Sequence, residues 1–66
     1  MKVRDIIAML ERRGWRLVRT RGSHRQFHHP QMPGTVTIAG KPAKDLSQEM
    51  LGSILKQAGL SKKDLP

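Results

Sequence analysis

The chain has 66 residues, a length that suits one domain with one small hydrophobic core. It contains no cysteine, so neither a disulfide framework nor a thiolate metal site is available to hold the fold together. A core this small rarely contributes more than about 3–5 kcal/mol, so a partner or a second copy is expected to add stability. The longest apolar run, residues 6–10, is far shorter than a membrane span, and the N-terminus lacks the apolar core of a signal peptide. We therefore expect a cytoplasmic protein with no membrane segment.

The charge is strongly positive and unevenly distributed. Thirteen lysines and arginines against five acidic residues give a formal net charge of +8. Eight of the thirteen lie between Lys2 and Arg25, and seven of those eight are arginine. An ordinary solvated surface mixes both signs, whereas clustered arginines neutralise phosphates and release their counterions. The charge therefore favours a nucleic-acid partner and salt-sensitive binding; a merely soluble basic surface is the alternative.

The first predicted element is a helix over residues 2–13. Apolar residues recur on one of its faces at helical spacing. Gly14 stands at the position where many helices end in a glycine. The residues of the apolar face are Val3, Ile6, Ile7 and Leu10.

Three strands are predicted after this helix. Residues 15–20 are typical of a strand, residues 21–23 of a turn, and residues 24–29 of a second strand. Residues 30–34 contain two prolines and a glycine, which do not fit a strand ladder, so they are expected to form a loop. Residues 35–39 alternate threonine with apolar residues and are the third predicted strand.

A second helix is predicted after a basic loop over residues 40–45. Ser47 is its expected N-cap and Gly59 its expected end. Residues 61–66 are expected to be a loose tail. The apolar arc of this helix consists of Met50, Leu51, Ile54, Leu55 and Ala58.

This order of elements predicts an α+β fold, α-β-β-β-α, forming a single domain. The short connections favour a three-stranded antiparallel sheet. Each helix has one apolar face, so both helices are expected to cover the same face of the sheet. The opposite face, here called the open face, is then left for solvent or a ligand.

The segment from Arg19 to His24 carries the main functional signal. It places a histidine directly after a turn and among arginines. Strand side chains alternate, so His24 and His28 share one face while Phe27 lies on the other. Because Phe27 is the natural core residue of its strand, both histidines are predicted to lie on the open face.

These residues match what RNA cleavage without a metal requires. A base must activate the ribose 2′-OH, a proton donor must serve the leaving oxygen, and positive charge must stabilise the phosphorane. His24 is the candidate base, and His28 is a conjecture for the acid. A histidine after a turn is more often an ordinary surface residue than a catalytic one. The candidate phosphate contacts are Arg19, Arg21, Arg25, Lys41 and the turn amides of Gly22 and Ser23.

No metal or other cofactor is expected. His28 and His29 are adjacent, so in a strand their side chains diverge and make a poor chelating pair. No cysteine or nearby carboxylate completes a metal site. Trp15 is expected to pack between helix and sheet, since one tryptophan and one phenylalanine are too few for a base-stacking platform.

A set of short motifs spread over residues 2–60 carries a family resemblance. The motifs are Gly14-Trp15, Val18-Arg19, Gly22-Ser23-His24 with Phe27, His29 and Pro30, then Pro33 to Ile38, Lys44-Asp45-Leu46, and Leu51 to Leu60. Taken together they resemble the HicA-type (YcfA-like) toxins of bacterial toxin–antitoxin pairs.

The resemblance implies a fold like the double-stranded RNA-binding domain and an activity against messenger RNA. Members of this family are mRNA interferases whose activity depends on the histidine of the Gly-Ser-His motif, here His24. They are neutralised by a cognate HicB-type antitoxin that masks the active site. The chain departs from many members after its third strand, where it reads Ala39-Gly40-Lys41-Pro42 and lacks a histidine. Any role of that histidine is not carried over.

Two other classes of function remain open at this point. One is a non-catalytic RNA-binding module that recognises shape and phosphates. The other is a protein whose basic face docks an acidic partner. The surroundings of His24 favour a metal-independent endoribonuclease over both.

Overall fold

The computed structural model describes residues 1–65 and has the predicted order of elements. The elements are α1 (Val3–Arg12), β1 (Arg16–Arg21), β2 (His24–His28), β3 (Val36–Ile38), α2 (Gln48–Gln57) and a 3-10 turn (Lys62–Asp64). The strands form one antiparallel sheet in the order β1-β2-β3. The α+β class and the helix, three strands, helix layout are therefore confirmed. The ends of α1 and of the strands differ from the predicted ends by at most one residue.

Both helices bury their apolar faces in one hydrophobic core against one face of the sheet. Phe27, Val36 and Ile38 supply the sheet side of this core and are at most 1% exposed. Burying a side chain as large as Phe27 contributes about 1.5–3 kcal/mol. The helices and their flanks supply Val3, Ile6, Met9, Leu10, Trp15, Leu51, Ile54, Leu55 and Ala58. All residues of β1 are exposed, so the core lies under β2 and β3.

The C-terminal end of α1 is tied to the end of β2 through a histidine. Gly14 has a φ of +98°, and the Trp15 N–H donates to the Leu10 carbonyl at 3.0 Å, as in a Schellman motif. The Gln31 N–H donates to His29 Nδ1 at 3.0 Å. His29 Nε2 therefore carries the ring proton of the neutral form and donates it to the Arg13 carbonyl at 2.9 Å.

The Trp15 ring packs beside this contact, as the sequence predicts. It meets the His29 ring edge-on, with 5.3 Å between ring centroids, and is only 2% exposed. Gly14 has room for no side chain here, because a Cβ would lie 2.8 Å from His29 Nε2. His29 is thus a structural residue that locks helix to sheet.

The loop between β3 and α2 closes the other end of α1. The Val3 N–H donates to the Lys44 carbonyl at 2.9 Å, and the Arg4 N–H donates to the Pro42 carbonyl at 3.0 Å. Lys2 forms an ion pair with Asp45 at 3.2 Å. These bonds satisfy backbone donors that the first turn of a helix leaves free. They also fix the loop that carries Lys41.

The C-terminal segment differs from the loose tail that the sequence predicts. Ser61 and Asp64 form a capping box, in which the Ser61 N–H donates to the Asp64 carboxylate at 2.8 Å. This bond, with the Ser61 hydroxyl and Arg13, holds the pKa of Asp64 below its usual value. Leu65 packs against the core. Residues 61–65 are therefore attached to the domain, whereas Pro66 lies outside the described residues.

Alanine substitutions at Gly14 and Gly52 are expected to change the stability of the fold in opposite directions. Gly14→Ala is expected to lower the free energy of unfolding by more than about 1–2 kcal/mol, since it adds a positive-φ cost to the His29 clash. Gly52→Ala is the matched control. It lies inside α2 with nothing within 4 Å of the added Cβ, and is expected to raise stability by about 0.5–1 kcal/mol. Urea denaturation measures both, and equal effects would contradict the packing described.

Candidate nucleic-acid interface

The register of the sheet decides which side chains reach the open face. Directly paired residues of neighbouring strands lie on the same face. Phe27 pairs with Val36 and both are buried, so this pair lies on the helix side. His24 and His28 lie an odd number of residues from Phe27 and face the other way, where both are exposed. The structure places the two histidines on the open face, as the alternation predicts.

A bulge in β1 gathers arginines onto the same face. Arg16 pairs with His28, whereas Arg19 pairs with Gln26, so Val18 is an extra residue between them. Strict alternation would send Arg16 and Arg19 to opposite faces. The bulge brings both to the open face, although Arg16 Nη1 is bound to the carbonyls of Glu11 and Trp15. No feature of the sequence distinguishes the bulge from a regular strand.

The turn between β1 and β2 places an arginine directly beside His24. Arg21 belongs to β1 and pairs with His24, so the turn itself is only Gly22-Ser23. Gly22 has a φ of +56° at the first central position, where a type II′ hairpin turn requires glycine. Paired residues of this kind have Cβ atoms about 4.5–5.5 Å apart. Arg21 and His24 are therefore neighbours on the open face.

Arg25 is separated from the other predicted phosphate contacts. It pairs with Ile38 on the helix side of the sheet and is half-buried. Its Nη1 donates to the Gly40 carbonyl at 2.8 Å. Arg25 thus anchors the start of the loop in which Lys41 is exposed. The structure does not bring it together with Arg19, Arg21 and His24.

His28 lies far from His24 for two groups that would act on one phosphate. They are four positions apart along the strand, which is about 13 Å at about 3.3 Å per residue. His28 Nε2 is 3.0 Å from the Thr35 hydroxyl, which fixes the ring orientation. This spacing suits contacts with successive nucleotides better than a shared acid–base step.

A cleft between the sheet and α2 adjoins His24. Its volume is about 250 Å³, and it is lined by His24, Thr37, Ala39, Met50, Ser53, Ile54 and Gln57. The cleft forms because α2 lies along β3, where Gln57 Oε1 accepts the Thr37 N–H at 2.9 Å. This contact joins residues twenty positions apart, so the sequence gives no direct signal of the cleft.

Within residues 1–65, no three His, Cys, Asp or Glu side chains come together in a way that could hold a metal ion. Over the same residues, no helix has the length and apolar character needed to cross a bilayer.

One comparison with known proteins gives a match over most of the chain. The family model described as the HicA toxin of bacterial toxin–antitoxin systems matches residues 3–60. Among curated proteins, no sequence matches the chain.

Loss of the arginines on the open face is expected to weaken nucleic-acid binding more than loss of arginines elsewhere on the surface. Replacing Arg19 and Arg21 by glutamine is expected to weaken binding of single-stranded RNA and to make its salt dependence less steep. The slope of log affinity against log salt should fall by about 1.4, since each neutralised phosphate contributes about 0.7. The control replaces Arg4 and Arg12, exposed on α1, by glutamine. Equal effects of the two pairs, measured by fluorescence anisotropy, would show that charge alone matters and not the open face.

Proposed function

The chain belongs to the HicA family of toxins of bacterial toxin–antitoxin systems, and on this premise we propose that it is a metal-independent endoribonuclease. Its substrate is messenger RNA in the cytoplasm, and His24 is its acid–base residue. The observation that carries the proposal is the position of His24. It lies exposed on the middle strand, with Arg21 as its pair on β1 and a cleft toward α2 on its other side.

The proposed reaction is attack of a ribose 2′-oxygen on the adjacent phosphorus. His24 takes the proton of the 2′-hydroxyl as the new P–O bond forms. The bond from phosphorus to the 5′-oxygen then breaks, and that oxygen takes up a proton to leave as a hydroxyl. The products are a 2′,3′-cyclic phosphate and a 5′-hydroxyl end. Histidine suits this step because its imidazole ring can take up and release a proton near neutral pH.

Positive charge on the open face supports this chemistry. Arg21, paired with His24, stands closest along the sheet to stabilise the extra charge of the phosphorane. Arg19 and the exposed Lys41 hold neighbouring phosphates, and the backbone amides of Gly22 and Ser23 add uncharged donors at the turn. Arg25 contributes indirectly, because it anchors the loop of Lys41 through Gly40.

His28 is assigned to RNA binding in this proposal. Its separation from His24 along β2 leaves room for at least one nucleotide between them. The Thr35 hydroxyl holds its ring in one orientation on the open face. A contact with the RNA backbone on the far side of the cleavage point fits this position.

The partner expected from the family is an antitoxin, and we propose that it is of the HicB type. An acidic protein laid over the open face would pair with the arginines and exclude RNA from His24. Leu17 and Val18 on β1, the outer strand of the sheet, are 50% and 53% exposed. Leu17 pairs with Phe27 and so lies on the helix side, and a partner that also wrapped around this edge of the sheet would bury both. Such a partner adds both the apolar burial and the negative charge that this small basic chain lacks.

The assignment of His24 predicts a loss of activity without a loss of fold. His24→Ala is expected to abolish RNA cleavage and growth arrest while leaving the far-UV spectrum and RNA affinity largely unchanged. The measurements are growth after induction, total RNA on a gel, and purified-protein cleavage with and without EDTA. His28→Ala is the matched control and should retain cleavage at reduced affinity. Toxicity that persists in His24→Ala would contradict the assignment of His24 as the acid–base residue.

A folded wild type that binds RNA without shortening it would instead identify a non-catalytic RNA-binding module. Activity that EDTA removes would overturn the metal-independent mechanism.

A further inference from the structure

The cleft beside His24 differs in chemistry from the rest of the open face. His24 is its single titratable group, and its other lining residues are uncharged. The arginines lie on β1, on the opposite side of His24 from the cleft. An uncharged cleft is a poor site for a phosphate and a suitable site for the uncharged part of a nucleotide.

The size of the cleft also restricts its occupant. Its volume of about 250 Å³ is below the range of about 300–1,000 Å³ typical of pockets for drug-sized ligands. Ala39, Met50 and Ile54 form an apolar wall. The thioether of methionine is polarizable and makes favourable contacts with aromatic rings. Size and wall together fit one flat ring.

Two polar side chains of α2, Ser53 and Gln57, also line the cleft and suit the edge of such a ring. Gln57 Oε1 accepts the Thr37 N–H at 2.9 Å, which identifies the oxygen end of the amide. The NH₂ end is therefore the part of Gln57 that is free to donate into the cleft. The Ser53 hydroxyl lies one helical turn earlier on the same side of α2 and either donates or accepts.

We propose that this cleft receives one unpaired nucleobase of single-stranded RNA, next to the phosphate that His24 acts upon. The position of the base relative to the cut rests on the proposed function; the existence of the base site does not. The RNA strand would cross the sheet with its phosphates over β1 and one base turned toward α2. In a duplex that base is stacked and paired, so single strands are the substrate class.

The cleft is tested by binding to strands that cannot be cleaved. One probe is a short 2′-O-methyl RNA, which lacks the attacking hydroxyl. The second is a strand of the same length and charge in which every base is replaced by an abasic tetrahydrofuran. Wild-type protein is expected to bind the first on the order of tenfold more tightly, the size of one good base contact. The duplex form of the RNA, whose paired bases cannot enter the cleft, should bind equally well to the wild type and to a variant with a filled cleft.

Two substitutions of the exposed Ser53 test whether the difference in affinity between the two strands arises in the cleft. Ser53→Leu fills the cleft from the surface of α2 and is expected to bind the two strands equally. Ser53→Ala removes one hydroxyl but leaves the cleft open, with Gln57 and the apolar wall in place, so it should still bind the RNA more tightly than the base-free strand. Thermal melts of both variants report whether α2 still folds. A difference that persists in Ser53→Leu, or equal binding of the two strands by the wild type, would overturn the proposal.

The outcome is independent of catalysis. If the wild type proves inactive on RNA but discriminates between the two strands, the endoribonuclease proposal fails and the base site stands. If it cleaves RNA but does not discriminate, the base site fails and the endoribonuclease stands.

Discussion

The burial of Phe27 is the constraint on which the open face depends. This ring lies mid-strand with Val36 and Ile38 in the only layer of side chains that the helices can cover. A slip of one residue in β2 would exchange its two faces and bury the histidines. The chain is too small to build a second core on the other side of the sheet. A face on which arginines and histidines are exposed is therefore a consequence of how few apolar residues are available.

The three histidines show how one residue type serves different purposes in neighbouring positions. His29 fastens β2 to the end of α1 through the Arg13 carbonyl and the Trp15 ring. His28 is held by Thr35 on the open face. His24, at the start of β2, has Arg21 on one side and the cleft on the other. A mutation of His29 is thus expected to act through the fold, whereas mutation of His24 acts through the site.

Polar contacts between distant segments shape the surroundings of His24. Arg25 reaches the Gly40 carbonyl and fixes the loop beyond β3. Gln57 accepts the Thr37 N–H and sets α2 against β3. Both contacts use one side chain to satisfy a backbone group, which costs free energy if left unpaired in a partly buried place. The walls of the proposed base site therefore depend on these hydrogen bonds to backbone groups as well as on hydrophobic packing.

The elements, their order and the alternation within β2 follow from local patterns in the sequence. Helical spacing of apolar residues, glycines at helix ends and the prolines of the loop are local signals, so they could be read without a structure. The same alternation placed His24 and His28 opposite Phe27. Four features become visible only in the folded chain: the bulge at Val18, the contact of Arg25 with Gly40, the cleft beside Gln57 and the attachment of residues 61–65. The Arg25 and Gln57 contacts join residues 15 and 20 positions apart, and the bulge depends on how β1 pairs with β2. Such pairings leave no periodic trace in the sequence.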